Sequence, residues 1–211
     1  NNFTVWSIIM SVVSANNNAL SAITALPSSI SGGSMNLIST QTASSSATLS
    51  FTSGIDSTYK EYVFKYINIH PATNEADWTF NMSIDGGSNY NVTKTTTAFQ
   101  AAHGESTGTD FTNFAYKPTM DLAQATGYQI IGNEVNNAND SSTAGFLHLF
   151  EPSSTVFVKH FLQNGNVCFT GRSVNVFHSG YANTTSAVNA VQFKMSSGNI
   201  DSGVIKLYGI S

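Results

Sequence analysis

The 211 residues predict an all-β protein: an antiparallel, jelly-roll-like β-sandwich preceded by an N-terminal arm that is helical or extended. Three observations carry that prediction. Apolar residues recur at every second position in short runs, the period of a strand with one buried face. Clusters of Gly, Asn, Asp and Ser separate these runs at roughly the 8–12-residue spacing of sandwiches and barrels. Charged residues make up 9% of the chain, against about 25% in ordinary soluble domains, while the apolar share stays at 41%.

The arm spans 1–35. Trp6, Ile9, Met10 and Val13 fall at i, i+3, i+4 and i+7, and a second apolar set, Leu20, Ile23 and Leu26, ends at Pro27, all of which fits a helix. The β-branched residues Thr4, Val5, Ile8, Val12 and Val13 fit an extended arm instead. Either form is too apolar to stand alone in water, so Trp6, Ile9, Met10 and Val13 are expected to dock on a partner or fold back on the body. The apolar run 3–13 has no Lys or Arg before it and reads as an arm rather than a signal peptide. A small, flexible stretch, SSISGGS at 28–34, leads into the sandwich, which is expected over 36–211.

Within 36–211, strands are expected at 37–40, 47–52, 61–69, 78–84, 145–150, 155–162, 174–181, 190–195 and 203–208. The clearest is 78–84, where Trp78, Phe80, Met82 and Ile84 alternate with Thr79, Asn81 and Ser83 up to the turn Asp85-Gly86-Gly87-Ser88. The run 61–69 stops before His70-Pro71, since proline cannot continue a central strand. At the end of the chain, Val191, Phe193 and Met195 alternate with Gln192 and Lys194, and 190–195 is expected to form a hairpin with 203–208 across the turn SSGNIDS. The stretch 98–134 is poorly patterned: long loops, or short strands near 114–116 and 128–131. A weakly periodic region on a rigid sandwich is where a functional surface is expected.

Composition excludes several function classes. Eight Lys and Arg, spread along a chain of net charge −4, form no basic stripe for nucleic acid. No apolar run reaches the roughly 20 residues that span a bilayer, so no membrane insertion is expected. The single cysteine, Cys168, excludes an internal disulfide framework and is expected to be a small buried residue. A polar but weakly charged surface suits a protein that packs many copies together or meets glycans through neutral hydrogen bonds.

The residues reveal no catalytic chemistry. His70, His103, His148, His160 and His178 are scattered; only His148 and His160 are expected to approach each other, on one face of a hairpin closed over 151–155, and as a polar pair rather than a metal site. Asp56, Glu61, Glu75, Asp77 and Asp85 stand at turns or strand ends and form no acid pair of the glycosidase kind. Glu105, Asp110, Asp121, Glu134 and Asp140 lie in or near the poorly patterned region, where Asp, Asn and backbone carbonyls are the ligand types a calcium ion takes, but no metal site is expected. No GxSxG, P-loop or GxGxxG occurs. No cofactor and no metal are expected, and the chain is not expected to be an enzyme. Tyr90, Phe99, Phe111, Phe114, Tyr116 and Tyr128 cluster in or near the weakly patterned middle; as exposed rings they are candidate sugar-stacking residues, and as buried rings they fill a core or a subunit interface.

The blocks LISTQTASSSATLSFTSGIDSTYKEYVFKYINIHPATNEADWTFNMSIDGGSNYN, LHLFEPSS and VNAVQFKMSSGNIDSGVIKLYGI resemble uncharacterised proteins abundant in tailed bacteriophages, especially marine ones. The resemblance covers the chain from about residue 36 onward. It implies a component of the virion, of the tail-fibre, head-fibre or decoration type, and it carries no catalytic residues. The expected partners are copies of the chain itself, a trimer first, and other virion proteins of capsid or tail. The alternative is a receptor-binding module that holds a host-surface glycan through loops in 98–139.

Overall fold

A computed structural model of the chain describes residues 35–105, 112–169 and 171–211. The expected arm with Trp6, Ile9, Met10 and Val13, and the candidate Phe111, lie outside the described residues. The described chain is built of twelve strands: β1 (Met35–Ser46), β2 (Leu49–Phe51), β3 (Glu61–Pro71), β4 (Ala76–Ser83), β5 (Lys94–Gly104), β6 (Thr112–Tyr116), β7 (Gln129–Val135), β8 (Thr143–Phe150), β9 (Lys159–Phe169), β10 (Arg172–Ala182), β11 (Ala190–Met195) and β12 (Ile200–Ile210). They form two antiparallel sheets, one of eight strands in the order β1-β12-β3-β8-β9-β10-β5-β6 and one of four in the order β2-β11-β4-β7. The β-sandwich expected from the sequence is present.

Period-2 alternation sets what lies between the sheets. Tyr62, Phe64 and Tyr66 of β3 and Ile205 and Leu207 of β12 are buried, as are Trp78, Phe80 and Met82 of β4 and Val191, Phe193 and Met195 of β11. Phe193 is the hub: its ring lies 5.6 Å from Trp78 in a stacked arrangement, 5.4 Å from Phe64, and 6.2 Å from both Phe51 and Phe80. Such offset and edge-on pairs add to the burial of the rings themselves. Across the larger sheet, Gly145 and Gly165 face each other in register, and a Cβ at either would collide with the Tyr66 hydroxyl. Only glycine admits the tyrosine there.

Several sequence expectations are corrected. The 190–195 and 203–208 runs do not form a hairpin: β11 pairs with β2 and β4 in the small sheet, and β12 with β1 and β3 in the large one. The turn between them is a corner that passes the chain from one sheet to the other. The strand expected at 155–162 begins only at Lys159, because the Ser154 hydroxyl accepts the Val156 and Phe157 N–H groups and holds that stretch as a turn. In the stretch 98–134, of the two readings offered, the short strands near 114–116 and 128–131 are the ones present, as β6 and β7, and the end of β5 reaches Gly104. β4 is buried on both faces, Thr79, Asn81 and Ser83 included, because the segments that follow it cross its outer side. Asn81 Nδ2 donates to Tyr90 O at 2.6 Å and to Thr126 O at 3.0 Å. Cys168 is half-buried, its Sγ 3.7 Å from the Ser141 hydroxyl.

Candidate functional site: the aromatic face of the larger sheet

The eight-stranded sheet turns one face to the core and the other to solvent. Register places the outward residues in rows that cross the strands. One row runs Thr40, Lys206, Lys65, Phe146, Asn164, Phe177, Phe99, Tyr116, from β1 to β6. The next runs Leu37, Tyr208, Val63, His148, Leu162, Ser179, Thr97, from β1 to β5. Large apolar side chains that ordinarily fill a core therefore stand in water: the rings of Phe99, Phe114, Tyr116, Phe146 and Phe177, and Leu162 beside them, are between 38% and 73% exposed. Phe99 and Phe177 stack at 4.8 Å and 11°, and Phe114 leans on Phe99 at 5.5 Å.

Three shallow troughs lie between these rings along β10. One of about 350 Å³ is lined by Thr95, Thr97, His160, Leu162, Ser179 and Tyr181. A second, about 300 Å³, lies among Phe99, Phe146, Leu162, Asn164 and Phe177, and a third, about 350 Å³, among Ala101, His103, Phe114, Ser173 and Asn175. The charged members of the rows, Lys206 and Lys65, lie at the β12 and β3 end. Lys65 sits 5.6 Å over the Tyr208 ring, and Glu61 pairs with His148 Nδ1.

The candidate rings divide into two places. Phe99, Phe114 and Tyr116 join this face, and the Tyr116 hydroxyl donates to Asp121, which holds the phenol above its ordinary range. Tyr90 and Tyr128 instead cover the outer side of the small sheet. The Tyr128 hydroxyl donates to Gln192 Oε1, and Lys194 Nζ lies 4.2 Å over its ring. Burial raises Tyr128. These two tyrosines pack and do not display. Phe146, Leu162, Phe177 and Tyr181 belong to the face but escaped sequence reasoning. The signal was in β10, where Val174, Val176 and His178 face inward while Phe177 and Tyr181 occupy the opposite phase.

His148 and His160 share the outer face of neighbouring strands as expected, but as diagonal neighbours rather than directly opposite. His148 stands opposite Leu162, and His160 packs edge-on against Tyr181 at 6.2 Å. Asp140 lines a polar trough of about 490 Å³ with His70 and Asp201, away from Asp121. Among the described residues no three His, Cys, Asp or Glu side chains gather closely enough to hold a metal ion.

Beneath the face lies a buried polar layer. Lys94 is fully buried; its Nζ donates to Asn81 Oδ1 at 2.5 Å and Val92 O at 2.8 Å, and burial pushes the amine down to about 7. Gln163 Nε2 donates to the Tyr66 hydroxyl at 2.6 Å, and its Oε1 accepts from His178 Nδ1 at 2.7 Å. Burial pushes His178 down to about 4, so its ring is neutral at pH 7. Comparison with protein-family models, with curated proteins and with solved structures finds no match.

Proposed function

We propose that this chain is a bacteriophage virion structural protein, a capsid decoration or tail/fibre component, which works by assembly and catalyses nothing. One observation carries the assembly part: a contiguous face of rings on the larger sheet is open to solvent, and faces of that size and polarity mark interaction sites. The low charge of the chain supports the same reading, since it lessens repulsion between packed copies. The virion part is supported by the resemblance of three sequence blocks to phage proteins. The winding is compatible with it: β2, β3, β4 and β5 alternate between the sheets, as do β10, β11 and β12, and double-sheet folds of the jelly-roll kind serve viral capsid, lectin and cupin domains alike. Mass spectrometry of purified virions tests the reading. The chain should appear at a copy number comparable to other structural proteins, and its absence from virions while present in infected cells would refute it.

A second reading, recognition of a host-surface glycan, draws on the stacked Phe99–Phe177 pair flanked by the neutral amides of Asn164 and Asn175. Its measure is binding of host polysaccharide that disappears in Phe99→Ser.

No helix among the described residues is long and apolar enough to cross a membrane.

A further inference from the structure

The outward residues on the ring-bearing strands follow a pattern that their burial in a monomer does not require. On β10 they read Asn175, Phe177, Ser179, Tyr181; on β9 Asn166, Asn164, Leu162, His160; on β8 Ala144, Phe146, His148, Phe150; on β5 Ala101, Phe99, Thr97, Thr95, each set in the same direction across the sheet. A line drawn across the strands between the Phe177 row and the Ser179 row places a large side chain opposite a small one in most columns. Phe177 reflects onto Ser179, Phe99 onto Thr97, Leu162 onto Asn164, Tyr181 onto Asn175 and Phe150 onto Ala144. A two-fold axis lying in an interface performs this reflection between copies.

We propose that the partner of this face is the same face of a second copy, related by a two-fold axis that crosses the strands between the Phe177 and Ser179 rows. The inference rests on the assembly reading above and names its partner. The Phe177 ring then lies against Ser179 of the second copy and Phe99 against Thr97, while Phe146 meets His148. Sheets that pack face to face interdigitate in this way about 10 Å apart. Such an interface is isologous, every contact occurring twice.

Charge and area agree with that occupant. None of the sixteen outward residues on β8, β9, β10 and β5 named above is Asp, Glu, Lys or Arg, so nothing charged is desolvated at the centre. At the β3 end, the same operation sets Lys65 of one copy over Val63 of the other, one outward position from Glu61. With β3 added, five strands (β3, β8, β9, β10 and β5) spaced about 4.8 Å apart and four outward positions spaced about 6.8 Å apart cover roughly 650 Å² in projection, about a fifth short of an ordinary pair. A stable pair of ordinary size contributes about 800 Å² from each partner.

The test is the solution mass of the full chain by light scattering across a wide concentration range, with circular dichroism confirming that each variant is folded. The wild-type chain is expected to be a pair or a multiple of pairs. Ser179→Phe adds apolar surface yet sets ring against ring, and should weaken pairing at least roughly tenfold. The double variant Phe177→Ser with Ser179→Phe exchanges large and small on both sides of the axis and should restore it. A chain that is monomeric throughout, an odd-numbered assembly such as a trimer, or a Ser179→Phe mass equal to that of wild type would each overturn the proposal. A virion that contains the chain while the purified chain stays monomeric would leave the assembly reading standing and remove only the pairing. A chain absent from virions that nonetheless pairs as described would do the reverse.

Discussion

The two halves of this sandwich are built on opposite chemistry. Where β12, β3 and β8 lie over the small sheet, the core is aromatic, with Phe51, Phe64, Trp78, Phe80 and Phe193 in mutual contact. Toward β10 and β5, the buried residues include Lys94, Thr96, Gln100, Gln163 and His178, and the rings stand on the outer face instead. The contrast teaches that an exposed ring is not a misplaced core residue here. The inner positions of β5 are small or polar, with Lys94 held by the Asn81 amide and the Val92 carbonyl and Thr96 by the Leu122 N–H, and the phenylalanines occupy the other phase of the same strands.

The contrast makes graded predictions, and the largest concerns the aromatic half. Phe193→Ala removes the ring that touches four others, and should cost about 3–5 kcal/mol, measured by urea unfolding. A loss near 1 kcal/mol would show that the cluster collapses around the gap, and the hub description would fail.

The polar half should reveal itself through pH. His178 has a folded pKa of about 4 against an ordinary 6.5. The unfolded chain therefore binds more protons between those values, and stability drops as pH falls from 6.5 to 4, by about 3 kcal/mol in all. Lys94 acts in a different window. With a folded pKa of about 7 against 10.5, it makes stability rise as pH climbs from 7 to 10.5. Thermal unfolding across pH should show both slopes. His178→Asn should flatten the acid one and Lys94→Met the alkaline one; slopes unchanged by these variants would assign the dependence to other groups.

A smaller effect tests the seam between the halves. Gly165→Ala should cost about 1–3 kcal/mol by overpacking against Tyr66. Tyr66→Phe in the same chain should recover part of it, since the colliding atom is the hydroxyl. Additive losses in a double-mutant cycle would argue that the strain falls on the neighbouring backbone.

The smallest effect belongs to the outer face. In the isolated chain Phe146→Ser should cost under about 1 kcal/mol, because a ring left in water gains little from folding. The same element of chemistry that is worth several kcal/mol at Phe193 is nearly silent at Phe146 until something covers it. Equal losses at the two positions would erase the distinction between the faces.

Legibility in the sequence follows the same division. The strands of the aromatic half were readable because large apolar residues alternate with polar ones: 61–69 and 78–84 match β3 and β4 within two residues at each end. β5 was not, because Thr96, Ala98, Gln100 and Ala102 face inward while Phe99 faces out, which inverts the pattern that alternation normally signals. Of the candidate rings, Phe99, Phe114 and Tyr116 share the outer face of the larger sheet, whereas Tyr90 and Tyr128 pack over the small sheet. Proximity in sequence said nothing about which sheet each ring would join. Phe146, Leu162 and Phe177 were missed for a related reason, since periodicity shows that two phases exist but does not say which faces water.

The amino-acid sequence by itself determined the all-β class, most strand positions and the absence of recognisable catalytic motifs, because these depend on local alternation, turn residues and the presence or absence of particular side chains. Only the tertiary structure decided that β11 and β12 part into different sheets, that β4 is covered on both sides, and that the rings of β5, β6, β8 and β10 align on one open face. Those outcomes depend on register and on which sheet each strand joins, and both are set by contacts between residues far apart in the chain.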